Sequence, residues 1–262
     1  MNLFCIPLGL HYLCRKKHMM KIALIGYGKM GRIIEQAANQ RGHTIVSTID
    51  IDNPEEFQAD TFRSADVAIE FTSPSTAYEN YQKCFAAGIP VVSGTTGWTQ
   101  RLGEIVNQCE NEGCTFFYAS NFSVGVNILF EVNKYLAKLM DRFPAYDISL
   151  KEIHHIHKLD APSGTGITLA KDILQAVERK NQWRLKEMEE TDNPTDLVIQ
   201  AIREGEVPGI HEVFYKSAVD EIMIRHEAKS RAGFALGAVL AAEFIVGKKG
   251  FFNMQDLLEI SG

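Results

Sequence analysis

The densest chemistry in the chain is the segment EIHHIHKLDAPSGTG, Glu152 to Gly166, in which His154, His155, His157 and Lys158 follow one another almost without interruption. Imidazoles and an ammonium gathered this closely supply positive charge and exchangeable protons. Pro162 then sets the entry to a helix whose first turn carries Ser163, Gly164 and Thr165. Hydroxyls and unpaired N–H groups there form a cradle for a carboxylate or phosphate. The combination suits a small anion, a carboxylate above all, that receives hydride and a proton. Along a strand His154 would face opposite to His155 and His157. The latter two could then pair on a metal, but no Cys, Asp or Glu is evidently placed as a third ligand, and no metal is expected. Solvated strand histidines without chemical work are the plain alternative.

A second focus is GYGKMG, where Gly26, Gly28 and Gly31 enclose Tyr27, Lys29 and Met30 between a short apolar run and a helical stretch from about Met30 to Arg41. One glycine serves a tight turn, one lets the backbone approach a pyrophosphate, and one allows close helix packing. Asp50 ends the next strand about 20 residues on, where a carboxylate can accept bonds from a ribose 2′-OH. It also repels a 2′-phosphate, and Ile51 rather than Arg follows it, so NADH is favoured over NADPH; Lys29 and Arg63 could still hold such a phosphate. The loops FTSPST and SGTTGW follow later strands at ends where ligands bind in open parallel sheets, although Gly and Ser-Pro can also simply end a strand.

These segments need elements to position them. KIALIG, HTIVSTID, DVAIEFT, IPVVSG and CTFFYAS are apolar almost throughout and alternate with helical lengths. That pattern predicts a Rossmann-type doubly wound parallel sheet covered on both faces. After about Ser120 a long helix (Val124 to Met140) leads to the strand YDISLKEIHH, a helix from about Gly164 to Glu178, and a polar stretch NQWRLKEMEETDNPTD. LVIQAIR, GIHEVFYK and DEIMIRHEAK then follow without long helices between them, which predicts a smaller α+β domain with a mixed sheet. The expected division is a dinucleotide-binding domain at 20–120, a substrate-binding and oligomerisation domain at 121–229, and a segment at 230–262 returning to the first domain.

Composition narrows the class. The chain has 262 residues, 45% apolar and 23% charged, so it can bury a sizeable core and is not disordered overall. The formal charge is −6 with the basic residues scattered, so nucleic acid is not an expected ligand. Cys5, Cys14, Cys84, Cys109 and Cys114 contain no CxxC pair, which fits a reducing cytoplasm. Residues 1–19 open with an apolar run, broken by Pro7 and Gly9, whose basic cluster follows rather than precedes it. That is not a secretory signal or a membrane span; an overextended gene start and an unstructured extension are expected.

GYGKMG, EFTSP, SGTTGW, ASNFSVGVN, EIHHIHKLDAPSGT and SRAGFALGAV, in this order, resemble the dihydrodipicolinate reductase family. The resemblance covers nearly everything from Met20 onward and implies NAD(P)H-dependent reduction of 4-hydroxy-tetrahydrodipicolinate to tetrahydrodipicolinate, with loss of water, in diaminopimelate and lysine synthesis. It implies His154 as the catalytic histidine and Lys158 as proton donor, with His155, Lys158, Ser163, Gly164 and Thr165 holding a small dicarboxylate. For the cofactor it implies Gly26 to Gly31, Asp50, Gly94, Thr95 and Thr96, and Ala119, Ser120, Asn121 and Phe122, the Phe122 ring lying near the nicotinamide. It further implies hinged domains that close over the substrate, and a cytoplasmic homotetramer without membrane attachment. The chain departs from the family pattern in a glycine loop one residue shorter than the common GxGGRMG and in Ile51, where Arg is frequent. An aspartate-type dehydrogenase and a non-catalytic NAD sensor remain as alternatives.

Overall fold

The computed structural model describes residues 19–186 and 193–259. The expected N-terminal extension, apart from Met19, and residues 187–192 of the polar stretch lie outside the described residues. The chain divides into two units, one reaching Ser120 and taking up Ala238–Leu257, the other containing Asn121–Gly237.

In the first unit β1 (Lys21–Ile25), α1 (Lys29–Gln40), β2 (Thr44–Ile49), β3 (Val67–Glu70), α2 (Pro74–Ala86), β4 (Val91–Ser93), α3 (Leu102–Asn111) and β5 (Thr115–Tyr118) alternate as the sequence pattern demands. With β11 (Gly250–Phe252) from the end of the chain, the sheet order is β11-β5-β4-β3-β1-β2 with every pairing parallel. The order reverses at β1, so the loops after β1 and β3 lie side by side at the switch point where such sheets bind ligands. β1 and β3 are buried on both faces because helices cover the sheet, which is why they carry unbroken apolar runs. Tyr81, Trp98 and Phe116 lock this core through edge-to-face contacts of 4.8–5.7 Å.

In the second unit α4 (Val124–Met140) precedes β6 (Asp147–His154), α5 (Gly164–Ala176), β7 (Gln182–Leu185), β8 (Asp196–Arg203), β9 (Ile210–Lys216) and β10 (Glu221–Glu227). The sheet order is β10-β9-β6-β8-β7, antiparallel at β10/β9 and β9/β6 and parallel at β6/β8 and β8/β7. Leu129, Ala137 and Met140 of α4 and Leu169, Ala170 and Ile173 of α5 cover Ile148, Leu150, Leu197, Ile199, Val213 and Tyr215. β7 arises in what reads as a polar stretch: its four alternating residues, Gln-Trp-Arg-Leu, become a strand by pairing with β8.

α6 (Ala232–Ile245) carries the chain across the division, so the return to the first unit starts at Ala238 within a helix rather than at residue 230. β11 (Gly250–Phe252) then adds a sixth parallel strand beside β5, an element hidden in the apparent tail. Arg41 and His43 both bind Glu243, at 2.6–2.7 Å, and fix α6 to the end of α1.

Candidate active site

The first unit presents the GYGKMG loop after β1, whose glycines have separable reasons. Gly26 adopts φ +88°, and a Cβ there would lie 2.1 Å from the Phe71 carbonyl oxygen; at Gly31 a Cβ would lie 2.3 Å from the Gly26 oxygen. Both are therefore demanded by packing within the protein. Gly28 is different: at φ −76° any residue could stand there, and nothing lies within 4 Å of a Cβ position. Its bare face is open, as backbone approach to a pyrophosphate requires. Asp50 accepts the Tyr27 N–H at 3.0 Å and the Ile51 N–H at 2.8 Å, so its exposed carboxylate is held beside this loop. Tyr27 donates its hydroxyl to Glu35, Lys29 is exposed at the first turn of α1, and Met30 is half-buried.

The loops after β3 and β4 are joined by Glu70, a fully buried carboxylate that the sequence reading missed. Its Oε1 accepts from the Thr72 N–H at 3.1 Å, the Thr95 hydroxyl at 2.9 Å and the Thr72 hydroxyl; its Oε2 accepts from Ser93 at 2.8 Å and Tyr81 at 3.2 Å. Burial pushes the Glu70 pKa up against these hydroxyl bonds. Gly94 closes against the Phe71 ring, where a Cβ would stand 2.2 Å from ring carbons, and Thr96 is exposed.

In the second unit β6 ends at His154, so His155 and His157 lie in the following turn and the strand-face pairing expected for them does not form. Their rings are still neighbours at 6.0 Å, and exposed His157 meets Glu206 at 3.1 Å. His154 is buried, with its Nδ1 3.7 Å from Glu152 Oε1 and without a hydrogen-bond partner. Gly209 makes room for that ring, since a Cβ there would stand 3.2 Å from Nε2. Burial lowers the His154 pKa; Glu152 opposes that shift, while Lys158 and Arg203 add to it.

Ser163 caps α5 rather than pointing to solvent. Its N–H donates to both Glu152 oxygens at 2.9 and 3.0 Å, its hydroxyl donates to Oε2 at 2.5 Å, and its Oγ accepts the Gly166 N–H at 3.0 Å. With the hydroxyl proton so committed, His211 Nε2, 3.1 Å from Oγ, must be the donor. The network assigns His211 to the Nε2–H tautomer, and burial holds its pKa down at about 3. At the first turn of α5 nothing lies within 4 Å of a Cβ position on Gly164, while Thr165 is half-buried and its Oγ1 lies 3.4 Å from Asn121 Nδ2.

Lys158 reaches both oxygens of Asp160 at 2.8 and 2.9 Å, which holds the Asp160 carboxyl below its usual range. Arg203 secures this loop from behind: it donates to the Lys158 carbonyl at 3.2 Å, to the Asp160 carbonyl, and to Glu152 at 3.3 Å. Glu152, His154 and His211 place ligand atoms within 4.8 Å of one another, a spacing a metal could bridge, and not the His155 and His157 pair weighed from the sequence. Ser163 and Arg203 already engage both oxygens of Glu152, and His211 is bonded to Ser163, so we read Glu152 as the centre of a hydrogen-bonded network rather than as a metal ligand.

Residues 20–122 match the family profile "Dihydrodipicolinate reductase, N-terminus" and residues 125–258 match "Dihydrodipicolinate reductase, C-terminus". The chain is 48% identical to the 4-hydroxy-tetrahydrodipicolinate reductase of Christiangramia forsetii, over 91% of this chain and 98% of that one. This chain belongs to the dihydrodipicolinate reductase family. A reductase of the same name from Archaeoglobus fulgidus is 35% identical over 92% of this chain and 100% of its own. Among solved structures, the fold resembles the dipicolinate-bound dihydrodipicolinate reductase from Paenisporosarcina sp. TG-14, with a TM-score of 0.74 and 21% identity over 93% of this chain and all of that chain. The dihydrodipicolinate reductase motifs thus fall on both units. Ala119 and Ser120 close the first unit, and Asn121 and Phe122 open the second. Phe122 is buried, and its carbonyl lies where a Cβ on Gly237 would come within 1.7 Å.

Glu152, His211 and Arg203 escaped the sequence reading. For Glu152 a signal existed: Ile148, Leu150, Glu152 and His154 alternate along β6, and all four are buried. A carboxylate continuing an apolar period of two is the mark of a buried polar network. His211 and Arg203 come from strands far along the chain, and only the register, Glu152 opposite His211 and His154 opposite Arg203, brings them in.

Proposed function

We propose that this chain reduces 4-hydroxy-tetrahydrodipicolinate to tetrahydrodipicolinate, with loss of water, using NAD(P)H in diaminopimelate and lysine biosynthesis. The observation that carries the reading is the network through which Glu152 and Arg203 hold the Lys158 loop and the first turn of α5 in the second unit, with the His154 ring beside it, its Nδ1 3.7 Å from Glu152.

NAD(P)H, when bound, supplies the hydride. The open face of Gly28, the exposed Asp50 carboxylate and the turn at Gly26 fit a dinucleotide, with Thr95, Thr96 and Ala119 to Phe122 as the further residues assigned to it. N–H groups of Gly164 and Thr165, with the Thr165 hydroxyl, bind one carboxylate of the ring. Lys158 exchanges Asp160 for the other negative charge, and His155, whose carbonyl accepts the Lys158 N–H at 3.1 Å, is assigned to the same anion. The proton comes from Lys158 and His154 together. Burial lowers the His154 pKa in the free protein, and a dianion bound beside the ring raises its proton affinity, so that it donates in the loaded site.

The second unit is also the proposed assembly surface of a homotetramer. Ile128, Val132, Tyr135 and Leu139 form an exposed apolar stripe along α4, which a second copy would cover. No helix among the described residues is long and apolar enough to cross a membrane. A cytoplasmic setting is proposed from the thiols, of which Cys84, Cys109 and Cys114 are free.

The test is a coupled assay with substrate made freshly by the preceding aldolase-type enzyme, run with NADH and NADPH in parallel. Substrate-dependent oxidation of either cofactor is expected. Turnover of a linear amino-acid substrate alone, or NADH binding with no turnover, would contradict the reading.

A further inference from the structure

We infer that Glu152 is a positioning residue that sets both the grip on the dicarboxylate and the proton affinity of His154. The inference rests on the site reading above and deepens it, by giving the buried acid of that network a part in substrate binding and proton transfer. Glu152 is 1% exposed, yet it is ringed by groups that act on the anion rather than by an inert core. Through Oε2 and the Ser163 N–H it fixes the cap of α5, and therefore the direction of the N–H groups at Gly164 and Thr165. Through Oε1 it binds Arg203, whose other bonds hold the carbonyls of Lys158 and Asp160. Through its charge it faces the unpartnered Nδ1 of His154 at 3.7 Å.

The packing confirms that the carboxylate is seated rather than accommodated. A Cβ on Gly166 would lie 2.6 Å from Glu152 Oε2, so the first turn of α5 is built directly on this oxygen. The charged and titratable groups facing His154 are Glu152 from its own strand, His211 from β9, Arg203 from β8, and Lys158 and Asp160 from the loop. Glu152 and Asp160 alone among them favour the imidazolium; Glu152 is the buried one.

Glu152→Gln keeps the shape and removes the charge. Either orientation of the new amide turns an NH2 toward a donor, Arg203 on one side or the Ser163 N–H and its committed hydroxyl on the other. Three readouts are measured: dipicolinate binding by calorimetry, kinetics with the ring substrate, and the pH profile of kcat/KM. We expect dipicolinate affinity to fall and the KM of the ring substrate to rise, each about tenfold. The KM of NADH should stay unchanged, and the limb reporting His154 should move to lower pH. Ser163→Ala, which removes the cap but leaves the charge, should raise the KM without moving that limb. A lower melting temperature with unchanged KM and pH profile in Glu152→Gln would overturn the inference. So would an identical pH shift in Ser163→Ala. Lys158→Ala is measured alongside: loss of activity there with wild-type behaviour in Glu152→Gln refutes this inference alone, whereas wild-type activity in Lys158→Ala refutes the site reading itself.

Discussion

Asn121 Nδ2 lies 3.4 Å from Thr165 Oγ1, so a residue assigned to the cofactor touches one assigned to the substrate carboxylate. Asn121 is itself held, accepting the Ser123 N–H at 2.9 Å and receiving Asn127 Nδ2 on its carbonyl at 2.9 Å. Asn121→Ala is expected to raise the KM of both NADH and the ring substrate, by about three- to tenfold each. Thr165→Val should raise only that of the ring. Steady-state kinetics with each substrate varied in turn decides it; a change in one constant alone for Asn121→Ala would contradict the link.

Lys158 is partnered by Asp160, a residue whose side chain is 60% exposed, so the pair contributes little to stability. Lys158→Ala is therefore expected to leave the thermal midpoint within about a degree or two of the parent. Its kcat should fall about 10²–10⁴-fold, with weaker substrate binding as well. Thermal melts and kinetics on the same preparation check both statements.

Coenzyme choice is expected to depend on Asp50 and Ile51. Ile51 is 86% exposed next to a carboxylate held by the Tyr27 and Ile51 N–H groups, a poor setting for a 2′-phosphate. The parent is expected to favour NADH, and Ile51→Arg to shift the ratio of kcat/KM toward NADPH by about tenfold. Parallel assays with the two cofactors measure the ratio directly.

Glu243 anchors α6 through Arg41 and His43. Burial raises its pKa, but the bonds from Arg41 and His43 outweigh that and leave it lowered overall. A carboxyl whose folded pKa is depressed stabilises above its unfolded value, and that stabilisation is lost as pH falls through the folded one. Glu243→Gln is expected to cost about 1–2 kcal/mol at pH 7. The difference from the parent should shrink as denaturation is repeated at progressively lower pH through the carboxylate range.

Much of this architecture was legible in the residues because the signals are local. The apolar runs of β1 and β3 announce a sheet covered on both faces, and Val124–Met140 is a helix with the predicted limits. What was not legible depends on partners distant in sequence. β7 and β11 are strands because β8 and β5 present edges to them; the alternation of Gln-Trp-Arg-Leu in β7 lasts only four residues inside a polar stretch, and the Gly-Phe-Phe of β11 shows none. Reading His155 and His157 as strand residues fails because the strand stops where the chain must turn to bring Lys158 and Pro162 round to α5. Glu70 and Glu152 are the same case in the two units: each is a single acid whose meaning comes only from the loops that converge on it.

The most direct test is a crystal structure of the protein with dipicolinate and NADH. One carboxylate of the ring is expected on the N–H groups of Gly164 and Thr165, with Lys158 Nζ on the other and His154 beside the ring. A ring bound away from all of these side chains would contradict the account.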